Sequence, residues 1–357
     1  MKRCIALLAA LLLLLCGCAQ KDAAESTDAT AATGATTTGS HRTQLEQRQT
    51  TRIQILLPDE NSLSWQQAGE DLQNQLSLLF YQAELLYAGG NAVKQAQQIQ
   101  DAINEGVDAL ILAPVESAPL LEVCSLAKEA GIPIISYDRL LMDTDTVSCY
   151  ISFDYQAMGH AIGNRIVTEK KLDTLAEEEF CTVEFFMGSP EDNNALLLYQ
   201  GIMSVLEPYL HSGKLVSLSG RTAFEDTCVV DWDKTTVTRN LSSYRKEYYE
   251  GGIPDIICTV SDEFADACIT QIGNIPPESY PLITGIGGGE AALSQLESGT
   301  LDITISTNLL QLNDRLVKTV DDLLTGKAPE FNDTESCHNN ATVVPAYLCD
   351  FNILTRS

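Results

Sequence analysis

The chain has 357 residues, with 22 Lys and Arg against 49 Asp and Glu, for a formal net charge of −27 at pH 7. Such acidity repels phosphate backbones and argues against nucleic acid as a partner. The stretch beyond residue 50 is long enough for two domains of ordinary size, and the four histidines have no metal-ligand spacing, so no metal or other cofactor is expected.

Lys2 and Arg3 precede an apolar run over residues 5–15 that is too short to span a bilayer comfortably. Leu15-Cys16-Gly17-Cys18 follows, and this order predicts a secretory signal peptide over residues 1–17. The Leu-x-Gly-Cys ending resembles the bacterial lipobox, which would make Cys18 the lipidated first residue of the mature chain. Cys16 is the rival site, but Leu15 before it is a poor match to a small residue. Residues 18–50 are rich in Ala, Thr, Gly, Ser and Gln and hold almost no large apolar side chains. They cannot bury enough surface to offset their ordering entropy, so a flexible tether is expected. The expected location is the extracytoplasmic face of a bacterial cell membrane, held by lipid at Cys18.

From Arg52 short β-branched runs alternate with helical patterns. Strands are predicted over 52–57, 108–113, 132–137 and 147–152, with helical spacing through Trp65, Ala68, Leu72, Leu76 and Leu79, then from the cap Asn91 to Gly106, and over 120–130. A second block follows. Its strands are predicted over 181–187, 215–218, 255–260, 281–286 and 301–306, and its helices over 191–209, 235–249, 262–272, 290–297 and 309–324. This alternation gives parallel sheets covered by helices on both faces. The expected fold is therefore α/β, with two doubly wound parallel-sheet lobes. Eight cysteines lie beyond Cys18, and Cys337 and Cys349, which flank a late loop, are the expected disulfide.

In open parallel sheets ligands bind beyond the carboxyl ends of the strands, so the polar residues there carry the functional information. No GxSxG, HExxH or P-loop is present. Asp138 and Asp192 could form a glycosidase pair, but ionised they can equally accept hydrogen bonds from sugar hydroxyls. Binding is the favoured reading, because Arg139 beside Asp138 would lower its pKa rather than raise it. The two tryptophans, Trp65 and Trp232, sit in polar contexts and could stack on the apolar face of a pyranose.

Two segments then speak directly. "DALILAPVESAPLLEVCSLAKEAGIPIISYDRLLMDTDTVSCYISFDYQAMG" and "GSPEDNNALLLYQGIMSVLEPYLHSGKL" resemble the type I periplasmic binding proteins for sugars, specifically the D-xylose-binding branch, with "YDR" and "SPEDNNA" as the telling motifs. The resemblance covers residues 52–357 and implies two lobes that close on a sugar about a three-segment hinge. The first lobe is expected over 51–155 plus 287–306 and the second over 156–286 plus 307–357, with hinge segments near 154–156, 286–287 and Thr307. The resemblance assigns Asp138, Arg139, Asp192 and Asn194 to sugar hydroxyls. It assigns Trp65 and, across an expanded loop over 220–233, Trp232 to the ring faces. This chain departs from the family at four positions: Ser64 stands for an Arg, Ser261 for an Asn, Gly287 for an Asp and Thr307 for a Lys. The implied function is capture of a monosaccharide, a xylose-like pentose or related sugar, without catalysis. The implied partners are an ABC permease or, alternatively, the ectodomain of a sensor histidine kinase, with the binding protein itself a monomer.

Overall fold

The computed structural model describes residues 45–356. The expected signal peptide, Cys18 and most of the tether lie outside the described residues. The last stretch of the expected tether, residues 45–50, is a helical turn docked on the globule. Arg48 pairs with Asp321 at 2.6 Å and lies 5.7 Å from the ring centre of Tyr81, whose hydroxyl donates to the same carboxylate at 2.6 Å. These partners come from distant parts of the sequence, so composition alone could not reveal them.

The first lobe is a six-stranded parallel sheet. Its strands are β1 (Arg52–Leu57), β2 (Gln82–Tyr87), β3 (Ala109–Leu112), β4 (Ile134–Tyr137), β5 (Val147–Phe153) and β11 (Ala346–Cys349), in the order β11-β5-β4-β3-β1-β2. Helices α1 (Leu63–Leu78), α2 (Ala92–Glu105), α3 (Leu121–Glu129) and α9 (Leu309–Leu324) cover it. The second sheet runs β12-β10-β9-β8-β6-β7, from β6 (Cys181–Phe186), β7 (Leu215–Val216), β8 (Ile256–Thr259), β9 (Leu282–Gly287), β10 (Ile303–Thr307) and β12 (Phe351–Thr355). It is parallel except for β12, which runs antiparallel to β10. Its helices are α4 (Tyr155–Lys170), α5 (Asn193–Ser212), α6 (Lys234–Tyr248), α7 (Asp262–Ile272) and α8 (Glu290–Ser298). Two doubly wound lobes are thus observed. The fully buried runs in β1, β3, β4 and β8 explain why both faces of these strands must be covered.

The lobe boundaries differ from the expected ones. Residues 287–306 belong to the second lobe, because β10 pairs directly with β9 (Ile303 opposite Thr284) and α8 buries Ala292 and Leu296 in the second-lobe core. Helix α9, expected in the second lobe, belongs to the first. Asn313 on it donates to Ala68 O and Asp71 and accepts from the Tyr137 hydroxyl at 2.6 Å. The chain therefore passes between the sheets after β5 at Asp154, after β10 at Asn308 and between β11 and β12 at Asp350. Three crossings stand, but the one expected at 286–287 lies inside the second sheet.

Helices α4 and α5 approach through glycines. A Cβ on Gly159 would lie 2.2 Å from Leu198 O, and one on Gly201 2.1 Å from Gln156 O. The expected Cys337–Cys349 disulfide is absent and both thiols are free. Cys337 sits opposite Val344 and packs on the first-lobe cluster around Leu110 and Ile134, whereas Cys349 faces the cluster on the α1/α9 side. The sheet separates the two sulfurs.

Candidate functional site

The loops at the carboxyl ends of the two sheets face each other, and the "YDR" and "SPEDNNA" segments meet there. Asp138 follows β4 with φ 58°, a left-handed conformation that few non-glycine residues adopt. Its backbone is held firmly. The N–H donates to Ile151 O at 2.9 Å, and the carbonyl accepts from Tyr150 Oη (2.7 Å), Ser152 Oγ (2.9 Å) and Asn194 Nδ2 (3.0 Å). The last of these crosses between the lobes. So does the bond from Tyr155 Oη, on the first turn of α4, to Asp138 Oδ1 at 2.7 Å.

Arg139 extends this junction. Its guanidinium meets Asp192 Oδ2 at 3.0 Å, again across the lobes, and lies 5.6 Å from the ring centre of Trp65. Trp65 enters from the first turn of α1, which Ser62 caps, and sets its ring edge-on to Tyr137 at 6.1 Å. Asp192 is 5% exposed and caps α5 by accepting from Asn194 N at 3.0 Å; Asn194 is 4% exposed. The structure therefore brings Trp65, Asp138, Arg139, Asp192 and Asn194 together.

Burial pushes the Asp138 carboxyl up to about 6; the Tyr155 hydroxyl opposes that shift, the Asp192 charge adds to it, and Arg139 opposes it. The sequence expectation that Arg139 would dominate is overturned, because the burial of the carboxyl outweighs the neighbouring guanidinium. Arg139 Nε is enclosed without a protein acceptor. The site thus combines carboxylate acceptors, a spare guanidinium donor and an indole face.

The remaining expected residues are dispersed. Trp232 belongs to the second lobe, in a 3-10 turn with φ 54°. Its ring presses on Gly188, where a Cβ would lie 2.2 Å from Cη2, and tilts against Phe264 at 5.7 Å. Trp232 Nε1 is enclosed without an acceptor. Ser64 is exposed on the first turn of α1, next to Trp65. The Ser261 hydroxyl is committed to capping α7, accepting from Glu263 N at 3.1 Å. Thr307 ends β10 opposite Phe351.

Asp262, one residue beyond Ser261, explains the departure at Gly287. Its carboxylate accepts from Gly288 N at 2.6 Å and Thr304 Oγ1 at 2.7 Å, and a Cβ on Gly287 would lie 2.6 Å from Oδ2. The Asp262 carboxylate, on the first residue of α7, thus fills the space into which a side chain at position 287 would grow. Tyr150 and Tyr155 were missed by sequence reasoning; their only signal was a position just before and just after a strand end rich in polar groups.

A family described as the periplasmic binding protein domain matches residues 53–328. The chain is 30% identical over 300 residues to the multiple sugar-binding periplasmic receptor ChvE of Rhizobium radiobacter, covering 83% of this chain and 84% of that one. It is 28% identical over 262 residues to the D-xylose-binding periplasmic protein of Escherichia coli (strain K12), covering 73% of each. Among solved structures, an ABC transporter solute binding protein from Clostridium phytofermentans with bound β-D-glucose superposes with a TM-score of 0.79 at 31% identity, over 86% of this chain and 94% of that one. The two-lobed fold, the cleft motifs and these matches agree: the chain belongs to the periplasmic binding protein family, whose members bind solutes and are not enzymes.

Proposed function

We propose that this chain is an extracytoplasmic lipoprotein, anchored at Cys18, that captures a monosaccharide in the cleft between its lobes and delivers it to an ABC importer. The observation that carries the reading is the cross-lobe cluster. Asp138 and Arg139 of one lobe meet Asp192 and Asn194 of the other, with Trp65 over the guanidinium. Carboxylates accept from sugar hydroxyls, Arg139 Nε donates to a hydroxyl or ring oxygen, and the indole covers the C–H face of a pyranose. Covering of the opposite face by Trp232 would require its ring, packed on Gly188 and Phe264, to turn toward the cleft. Because the cluster draws on both lobes, a ligand bound there favours the closed arrangement. The relatives' names support an aldose: one binds multiple sugars, another D-xylose, and the 31% identical structure holds β-D-glucose. Ser64, Ser261 and Thr307 supply shorter polar groups at the rim than Arg, Asn or Lys would, which favours a hexose, or a pentose with water bridges, over a tightly clamped pentose.

The test is a thermal-shift panel of pentoses and hexoses, since ligand bound only to the folded state raises stability by mass action. Glucose or xylose should raise the melting temperature of the wild type and leave Asp138→Ala and Asn194→Ala unmoved. Equal shifts in wild type and both variants would remove the cleft from the proposal. The relative named a receptor favours a second reading, sensing through a membrane histidine kinase. Deletion that abolishes sugar-dependent induction while uptake persists would select it.

A further inference from the structure

Beside this cluster a half-open pocket of about 390 Å³ lies between the lobes, with Arg139, Asp143 and Asn340 on the first-lobe wall and Glu191, Asn193 and Leu197 on the second-lobe wall. We propose that this cavity is a subsite for a second, neutral sugar ring joined to the one held at Trp65 and Asp138, so that the ligand class includes disaccharides. The inference rests on the sugar-binding reading above and extends it.

Size is the first argument. Small-molecule sites begin at about 300 Å³, so this cavity has room for one ring with its hydration. Position is the second. Arg139 lines the pocket while its guanidinium lies over Trp65 and pairs with Asp192, so one side chain joins the pocket to the cleft cluster. A single glycosidic bond passing Arg139 would join two rings.

The wall is the third argument, because it is held in a fixed shape. Asn339 is fully buried. Its Nδ2 donates to Leu141 O (3.0 Å) and Thr144 O (2.6 Å), its Oδ1 accepts from Thr342 N (3.0 Å), and its carbonyl accepts from Asp143 N (2.7 Å). That anchor holds Asp143 at φ 59° and Asn340 at φ 71°, and Asn340 Nδ2 donates to Asp143 Oδ1 at 2.9 Å. Non-glycine residues in the left-handed region are uncommon, and such a conformation persists where the surroundings over-determine it, often around a ligand.

Chemistry selects the occupant. Glu116, Asp143 and Glu191 can only accept when ionised, and Asn193, Gln200 and Asn340 both donate and accept. Sugar hydroxyls match both kinds. Leu140 and Leu197 offer aliphatic surface to the C–H faces. Arg139 is the only Arg or Lys on these walls and is already paired, so a uronic acid or sugar phosphate is disfavoured by the surrounding carboxylates.

The test is calorimetric titration of the full chain with glucose and xylose and with their disaccharides of differing linkage. At least one disaccharide should bind 10-fold or more tightly than its parent monosaccharide. Leu197→Trp, which fills the cavity, should reduce that disaccharide to the monosaccharide's affinity and leave the monosaccharide unchanged; Gln200→Trp, on an exposed position of the same wall, serves if the first variant does not fold. Monosaccharide binding with no disaccharide gain, or equal losses for both ligands in the filled variant, overturns the subsite alone. Failure of every mono- and disaccharide to bind overturns the sugar reading with it.

Discussion

Replacing Arg139 by Met keeps the length of the side chain and removes the cation paired with Asp192. Asp192 has a side chain 7% exposed, and without Arg139 it keeps only the bond from Asn194 N. Breaking an enclosed ion pair from one side costs about 3–5 kcal/mol, because the remaining charge is stranded. The Arg139 side chain is 18% exposed and Asp192 retains one donor, so the lower end, about 3 kcal/mol, is expected. Loss of the guanidinium over Trp65 adds up to about 1 kcal/mol. For a protein of this size each kcal/mol moves the melting temperature by roughly 2–4 °C, so a fall of about 6–16 °C is expected. The assay is denaturant unfolding, without ligand, of wild type, Arg139→Met, Asp192→Asn and the double variant. The pair should show a coupling of at least about 1.5 kcal/mol, within the range seen for residues in contact. A coupling below about 0.5 kcal/mol, the scatter of independent sites, would refute the reasoning and mean that the lobes do not meet through this pair in solution.

Gly287→Asp should destabilise by at least about 2 kcal/mol in chemical unfolding and gain no sugar affinity, because φ is 148° and the new side chain would run into the Asp262 carboxylate; tighter pentose binding by this variant would contradict the space-filling role of Asp262. The Asp138 carboxyl, raised to about 6 against about 3.9 when unfolded, makes the folded state bind more protons between those values. Stability from this group is therefore greatest below about pH 4 and is lost as pH rises to about 6, by at most about 2–3 kcal/mol. The difference in unfolding free energy between wild type and Asp138→Asn should slope across that window and flatten above it; a slope of opposite sign would place the carboxyl's pKa below normal. Gly159→Ala should cost about 3 kcal/mol by forcing α4 and α5 apart, read as a lowered denaturant midpoint, and a neutral outcome would mean the helices pack less closely. Alkylation without reductant, followed by peptide mass spectrometry, should recover Cys337 and Cys349 as separately labelled peptides; a linked peptide pair would restore the disulfide.

How much was legible before the structure depended on whether a signal was local. The buried strands β1, β3, β4 and β8 carry short runs dominated by apolar residues, and the helices α2 and α7 have their caps at Asn91 and Ser261, so sequence located them. Helix α4 escaped because Gly159 and Gly163 interrupt its pattern, and those glycines have meaning only against α5. The edge strand β2 is half exposed, and β11 and β12 are only partly buried, so none reads strongly alone. Four of the five cleft residues that meet were legible through two motifs, and Trp65 as a tryptophan in a polar context. Tyr155 was not, because its role is set by a bond to the other lobe. The lobe assignment of 287–306 failed for a similar reason: strand pairing decides it, and pairing is not written in any one segment.

The two ends of the described chain are fastened to different lobes. Residues 45–50 are docked on the first through Arg48 and Asp321, while Arg356 is held to the second by Asp302 at 3.2 Å. A donor and an acceptor fluorophore placed just outside these two clasps would therefore measure the angle between the lobes without disturbing either core or the cleft.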